Sequence, residues 1–356
     1  MLVSEVINSA SIAYTATENA SNQIPYLGLN WFAPKKKAGL DLKWIKGHKG
    51  LPISLAPSNF DALPTLRARN DLKIEKTQMA FFRESMIVTE EDAQEIDRIK
   101  SSDDPYLVTA LESIYDDTNN LLAGAEVVPE RMRMSLLATT NGHPVIGISS
   151  NGVSYAYDYD PNGTYASTHY VKNTGTAVWT DTTNAKPITD LINAKKALKA
   201  LGQNPEYALM NSTTFNMLFD NAEVRNTILI TNPNASLGNM VLSDADIIAV
   251  FKARTGLTIV VYDKMYEEGG VAYPFYPNNK VTLLPSGALG STWFGTTPEE
   301  RTASQVENVD VSMYGEGIAV AVKTEYGPPA LTSVTASEIV LPSYEGMDAT
   351  YVIEVA

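Results

Sequence analysis

Apolar and polar positions along the chain change period several times, and each change predicts an element. From Gly39 to Met86 apolar and charged residues alternate, as in Leu40-Asp41-Leu42-Lys43-Trp44-Ile45-Lys46 and Leu72-Lys73-Ile74-Glu75-Lys76, with Gly47, Gly50, Pro52, Pro57 and Pro64 between. Period two bounded by turn residues predicts two strands joined by a long turn-rich segment, a ribbon too poor in apolar residues to stand alone in water. At Thr89 the period lengthens: Thr89 is placed to cap a helix with Glu90, Glu91 and Asp92 in its first turn and Ala93, Ile96 and Ile99 on one face. A longer helix follows Asp104-Pro105, because Leu107, Leu111, Ile114, Leu121 and Leu122 recur every three to four residues, and the stripe can run past Pro129 to Leu137.

Beyond the long helix, Val153 to Tyr159 returns to period two, with Asn151-Gly152 and Asn162-Gly163 as hairpin turns in a small antiparallel sheet. Residues 186–290 alternate helix and strand: an amphipathic Pro187–Leu201 stopped by Gly202, an extended Tyr207–Met210, and a helix Ser243–Arg254 with a capping box from Ser243 to Asp246 and Gly256 as its stop. The almost wholly apolar Leu257–Tyr262 reads as a strand buried on both faces. Strands return at Gly317–Val322 and Thr350–Val355, while residues 1–34 hold no period and read as an extended arm. The class is therefore α+β, with no internal repeat.

Composition narrows the function. The 356 residues are 44% apolar, enough to fill the cores of two ordinary domains. No stretch reaches the length of a membrane span, and the start has no basic region followed by an apolar run. The absence of Cys excludes disulfides, thiolate nucleophiles and cysteine metal sites. A net charge of −14 argues against a dedicated DNA-binding protein, since like charge repels phosphate. That charge is unevenly placed: residues 35–83 carry a net +7 and residues 84–120 a net −9. A basic segment abutting an acidic one can close on itself or reach the acidic segment of the next copy.

Candidate chemistry is sparse. His48, His143 and His169 fall in no paired metal-ligand spacing, and the nucleophile-elbow, phosphate-loop and dinucleotide-binding signatures are absent. Gly290-Ser291-Thr292-Trp293-Phe294-Gly295 offers a Ser with no identifiable base. Asp158-Tyr159-Asp160-Pro161-Asn162-Gly163 matches the first half of a calcium loop, but His169 stands where a bidentate Glu is needed, so a turn is the better reading. Asp103-Asp104 and Asp116-Asp117 read as a solvated helix face and not as a catalytic pair. No catalytic, cofactor or metal site is assigned.

Several phrases in order along the chain resemble the major capsid protein E family of lambda-like tailed bacteriophages. They include Met79–Glu84 leading to Asp92–Ile96, Glu130-Arg131-Met132-Arg133-Met134-Ser135, Leu257–Tyr262 with Tyr266-Glu267-Glu268-Gly269-Gly270, Phe275–Pro285, and Gly287–Gly295. Together with the closing strand they span about residues 75–356.

The resemblance implies the Hong Kong 97-type capsid fold, with an N-terminal arm at 1–34, an extended loop at 35–83, a peripheral domain with a long spine helix at 84–185, an axial domain at 186–290, and return strands at 291–356 completing the peripheral domain. It implies a non-enzymatic head protein that assembles with itself into hexamers and pentamers, in the host cytoplasm, as the icosahedral shell of the virion. Separate scaffolding, portal and decoration proteins would be its partners, and packaged DNA a neighbour by proximity alone. On this mapping Lys43, Trp44, Lys46, Lys49, Arg67 and Arg69 form the contact with the adjacent subunit. Lys46 and Lys49, near the loop tip, are the candidates for the crosslinking Lys of the Hong Kong 97 example, with no Asn partner identifiable and with the crosslink lacking in lambda-like relatives. The 18 Tyr and the strand-rich 144–180 and 300–356 leave a second reading open, a carbohydrate- or cell-binding β-rich module.

Overall fold

The computed structural model describes residues 24–46, 73–88, 105–150, 152–231, 243–302, 309–325 and 331–356, together with Ser9 and Ile12. In chain order the strands and helices are β1 (Phe32–Lys36), β2 (Asp41–Lys46), β3 (Lys73–Gln78), β4 (Ala80–Val88), α1 (Pro105–Ala138), β5 (Val145–Ser150), β6 (Val153–Asp158), α2 (Thr164–Thr168) and β7 (Tyr170–Lys172). They continue with α3 (Pro187–Ala200), β8 (Tyr207–Met210), α4 (Ser212–Asn216), α5 (Ala222–Thr231), α6 (Asp244–Thr255), β9 (Thr258–Val261), β10 (Met265–Glu268), β11 (Val271–Pro274) and β12 (Lys280–Leu284). The last are β13 (Gly290–Phe294), α7 (Pro298–Thr302), β14 (Val309–Tyr314), β15 (Ile318–Glu325), β16 (Leu331–Pro342) and β17 (Tyr351–Glu354). Two compact units result: residues 1–42, 76–133 and 291–343 form the first, and residues 43–75, 134–290 and 344–356 the second.

The first unit is a six-stranded sheet with β16 as its seam. Along one edge of β16 run β15, opposite Leu331–Glu338, and then β13, opposite Val340–Pro342; β4 covers Thr332–Val340 on the other edge. Val320 and Val322 of β15, Val334 and Ala336 of β16, and Val88 of β4 meet Leu122 of α1 and Ile12 in one buried cluster. Period-two strands supply the apolar face and the helical stripe covers it, which is the layer packing such patterns demand. Ser9 reaches the same unit, donating from its amide and its hydroxyl to the Asp310 carboxylate at 2.8 Å each.

The second unit is a five-stranded sheet in the order β7-β17-β12-β8-β9. One face, including Ala208, Met210, Val281, Leu283, Ile353 and Val355, packs on α3, α5 and α6 through Ile188, Leu191, Leu198, Val224, Ile228, Ile247 and Phe251. Trp179 is fully buried there, and its indole N–H donates to Asp190 in the first turn of α3 at 2.9 Å. Helix α6 starts on the expected capping box, with Ser243 and Asp246 exchanging bonds, and stops at Gly256 with φ of +65°, where a side chain would be strained. On the other face Thr282 donates to the Leu137 carbonyl at 2.8 Å, satisfying a main-chain acceptor in the last turn of α1.

The long helix runs 34 residues straight through Pro129, as its stripe predicted. Proline removes one intrahelical bond, yet Glu130, Met132, Met134, Leu136 and Leu137 are all fully buried around it, and this packing holds the helix together. The ribbon is also present, β2 and β3 forming a two-stranded sheet. The capped helix expected from Thr89 lies outside the described residues.

Four local expectations are corrected. Residues 80–83, read as ribbon, belong to β4, because nine residues there find hydrogen-bonding partners on β16. Gly152, at positive φ, lies in the turn of the β5–β6 hairpin, but Asn162-Gly163 turns none; the Asp160 carboxylate takes the amides of Thr164, Tyr165 and Ala166 and starts helix α2 instead. Strand β9 is the sheet's edge, with only Ile259 of its four residues buried, so its apolar run covers the underside of α6 and is not sandwiched. The closing strand β17 lies in the five-stranded sheet, paired with β12 and parallel to β7, and does not return with β13–β16. A hairpin that the pattern did not announce, β10–β11, turns on Gly269 and Gly270, both at positive φ.

Candidate functional site

Of the residues singled out for contact with a neighbour, Lys43, Trp44 and Lys46 sit on strand β2 of the ribbon. Lys43 and Trp44 lie on β2; Lys43 is exposed, and the Trp44 ring stacks on Tyr159 at a centroid distance of 5.6 Å. The side chain of Lys46 and the whole of Lys49, Arg67 and Arg69 lie outside the described residues. Trp44 is thus occupied within its own chain, whereas Lys43 makes no ion pair among the described residues.

The flanks of the basic segment close on the same chain. Lys36 on β1 pairs with Glu300 at 2.8 Å, and Arg83 on β4 pairs with Glu299, both acids belonging to the short helix α7. Glu299 also accepts from Ser337 at 2.6 Å, and Arg83 lies over the Phe81 ring. Lys35 stands 5.5 Å over the Trp293 ring, and Lys37 donates to the Asp41 carbonyl at 3.0 Å. Among the described residues the self-closing contacts therefore use cations at the two ends of the segment and leave Lys43 on β2 exposed.

A second polar group lies inside the first unit, where the phrase Glu130–Arg133 drew attention for other reasons. Glu130 and Arg133, one turn apart on α1, are both buried and paired at 3.1 Å. The second Glu130 oxygen accepts the Gly28 amide at 2.9 Å, and Arg133 Nε donates to Thr292, whose hydroxyl donates in turn to the Phe32 carbonyl at 3.1 Å. One ion pair thereby fastens residues 28–32 to α1 and β13. The approach is close: a Cβ on Gly28 would stand 2.5 Å from Glu130 Oε2, so only glycine fits.

Glu338 on β16 is also buried, and neither carboxylate oxygen has a hydrogen bond among the described residues. Burial pushes its pKa well above the ordinary carboxylate range; Arg133 opposes the shift and Glu126 adds to it. Burial and the charge of Glu126 likewise push the Tyr314 phenol up to about 12 and raise that of Tyr26 further. No sequence signal announced Glu338: Ala336-Ser337-Glu338-Ile339 looks like a strand with an exposed acid, and it is the charges of Glu126 and Arg133 on α1 that act on it in the folded chain.

Candidate catalytic groups are absorbed by structure. Asp160 is spent on the start of α2, and His169 is buried between Thr168 Oγ1 at 2.6 Å and the Asp348 carbonyl at 3.1 Å, stacked on Tyr165. The amide of Ser291 donates to the Ser343 hydroxyl and its carbonyl accepts from the Ser343 amide, as in a sheet ladder. Among the described residues no group of three or more His, Asp or Glu is placed to hold a metal, and no helix is long and apolar enough to cross a membrane.

Comparison with known proteins agrees with the architecture. A family model described as phage major capsid protein E matches residues 17–316. No curated protein matches the chain. Among solved structures, a phage-related protein from Bordetella bronchiseptica superimposes with a TM-score of 0.56 at 15% identity, covering 98% of this chain and 97% of its own. A chain from Escherichia coli CFT073 described as a prophage capsid protein gives 0.56 at 13% identity, with 98% and 99% covered. At such identities these likenesses concern the fold.

Proposed function

The chain belongs to the phage major capsid protein E family, a shell-forming structural subunit of the virion with the Hong Kong 97-type fold, and we propose that its basic ribbon is the part that reaches a neighbouring copy. Family membership decides between the two readings left open by the sequence, in favour of a shell subunit over a carbohydrate- or cell-binding module.

The observation that carries the ribbon reading is how the cations of 35–83 are used. Those at its ends, Lys36 and Arg83, are paired within the chain, while Lys43 on the ribbon is exposed and unpaired among the described residues. A two-stranded ribbon is marginal by itself, so an acidic surface of the next subunit would both steady it and answer its charge. Lys43, Trp44, Lys46, Lys49, Arg67 and Arg69 make that contact, with Trp44 held from within by Tyr159. Residues 1–34 act as arm, 35–79 as extended loop, 80–133 with 291–343 as peripheral domain, and 134–290 with 344–356 as axial domain. A heterologous contact of this kind closes into hexamers and pentamers, and many modest contacts hold a shell that no single pair would. The chain has no catalytic role; it assembles in the host cytoplasm, with scaffolding, portal and decoration proteins as separate partners.

Reversing Lys46→Glu and Lys49→Glu together tests this. Assembly should weaken while circular dichroism and the melting of the free subunit stay unchanged; normal shells by electron microscopy would count against the ribbon's role.

A further inference from the structure

The first unit contains a cavity of about 170 Å³ that opens to solvent beside the β14–β15 turn. Leu29, Pro34, Pro129, Phe294 and Ile318 give it apolar walls, and Glu126 and Glu316 stand at it with the phenols of Tyr26 and Tyr314. Arg133 also lines it, but its guanidinium already serves Glu130 and Thr292, so the charge left facing the space is negative. Apolar walls under carboxylates suit one kind of guest: a long aliphatic stem ending in a cation, which buries its methylenes and leaves its charge at the acids. The volume is that of a single long side chain. Glu316, on the turn, is exposed and makes no ion pair among the described residues.

We infer that this cavity receives one Lys or Arg side chain from the ribbon of a second copy. The inference rests on the ribbon reading above and names where the ribbon lands. Two observations select the occupant. Residues 35–83 carry a net +7 in a chain whose net charge is −14, so the strongest complement to an acidic cavity is on the chain itself. The flank cations Lys36 and Arg83 are already taken by Glu300 and Glu299, whereas Lys43 on β2 is exposed and makes no ion pair among the described residues. A same-subunit segment or a small cation are the alternatives, and the test separates them.

The chain has no Cys, so single cysteines report contacts without background. Full-length subunits carrying Glu316→Cys are co-assembled with subunits carrying one Cys at Lys43, Lys46, Lys49, Arg67 or Arg69, then mildly oxidised and run on non-reducing denaturing gels. A disulfide dimer of one subunit of each kind is expected for at least one position, and none with Lys252→Cys on the exposed face of α6. In parallel, Glu126→Gln with Glu316→Gln should raise the protein concentration needed for shells by about fivefold, as for one modest ion pair per contact. Shells that form but give no mixed dimer at any of the five positions overturn the inference, as does a bond that forms only inside a chain carrying both cysteines. Unchanged assembly of the double Gln variant also overturns it. Normal shells from the Lys46→Glu, Lys49→Glu variant would instead sink the ribbon reading beneath it, so the two failures are told apart.

Discussion

The two units solve the same packing problem with different interiors. The second closes one sheet face with a dry layer of Trp179, Leu191, Leu198, Phe251 and Leu283; Ser243 and Asn211 are spent on starting helices, the buried Asp160 on the amides that start α2, and Asp190 on the Trp179 indole. The first admits ionisable groups to its interior: Glu130 and Arg133 are buried as an ion pair, and Glu338 is buried with no hydrogen bond among the described residues. A buried ion pair adds little net stability over an apolar pair but becomes costly when one partner is lost. The first unit has therefore exchanged some stability for fixed geometry, with residues 28–32 held at one place on α1 and β13, next to the cavity proposed as a docking point.

The contrast can be broken by substitution. Trp179→Ala should cost the second unit about 3–5 kcal/mol in a urea melt, since it empties the largest fully buried site and orphans a bond to Asp190; a loss no greater than that of the exposed Leu201→Ala would show that this core is not the dry layer described. Arg133→Ala should cost the first unit about 3–5 kcal/mol, because Glu130 is then buried without its partner. The double variant Glu130→Gln, Arg133→Met should recover much of that loss, and failure to recover would mean that packing, not charge, dominates.

Glu338→Gln acts in the opposite direction. In the folded chain Glu338 holds its proton above the ordinary carboxylate range, whereas in the unfolded chain it ionises there. Stability is therefore unaffected below that range and falls as pH rises from it towards the raised value. The Gln variant should be stabler at neutral pH by about 1–3 kcal/mol and flatten the dependence between pH ~4.5 and neutrality; equal slopes for both proteins would show that Glu338 is ionised or solvated. Lys36→Ala should matter least, about 0–1 kcal/mol, since its pair with Glu300 is partly exposed; a larger loss would make α7 a structural clamp and not a surface ornament.

Where neighbours in sequence are neighbours in space, the chain's pattern was sufficient. The stripe from Leu107 to Leu137, the alternation that makes β2 and β3, and the box from Ser243 to Asp246 with its Gly256 stop are all settled within a few residues, so they were legible. The ribbon as a candidate contact was legible too, because charge is a sum over residues and needs no fold. The surface proposed to receive it was not: Glu126 and Glu316 are 190 positions apart and meet around one cavity.

Sheet membership belongs to tertiary structure for the same reason. Strand β16 takes its neighbours from 80–88, 292–294 and 318–325, and β17 pairs with β12 seventy residues earlier and not with the strands just before it. A strand's alternation fixes which side chains share a face but says nothing of which edge will satisfy its amides. The sequence alone thus determined the kinds of element and the sign of the charge on each segment. Only the fold decided which carboxylates would lose their water, since burial is the work of strands and helices brought in from far along the chain.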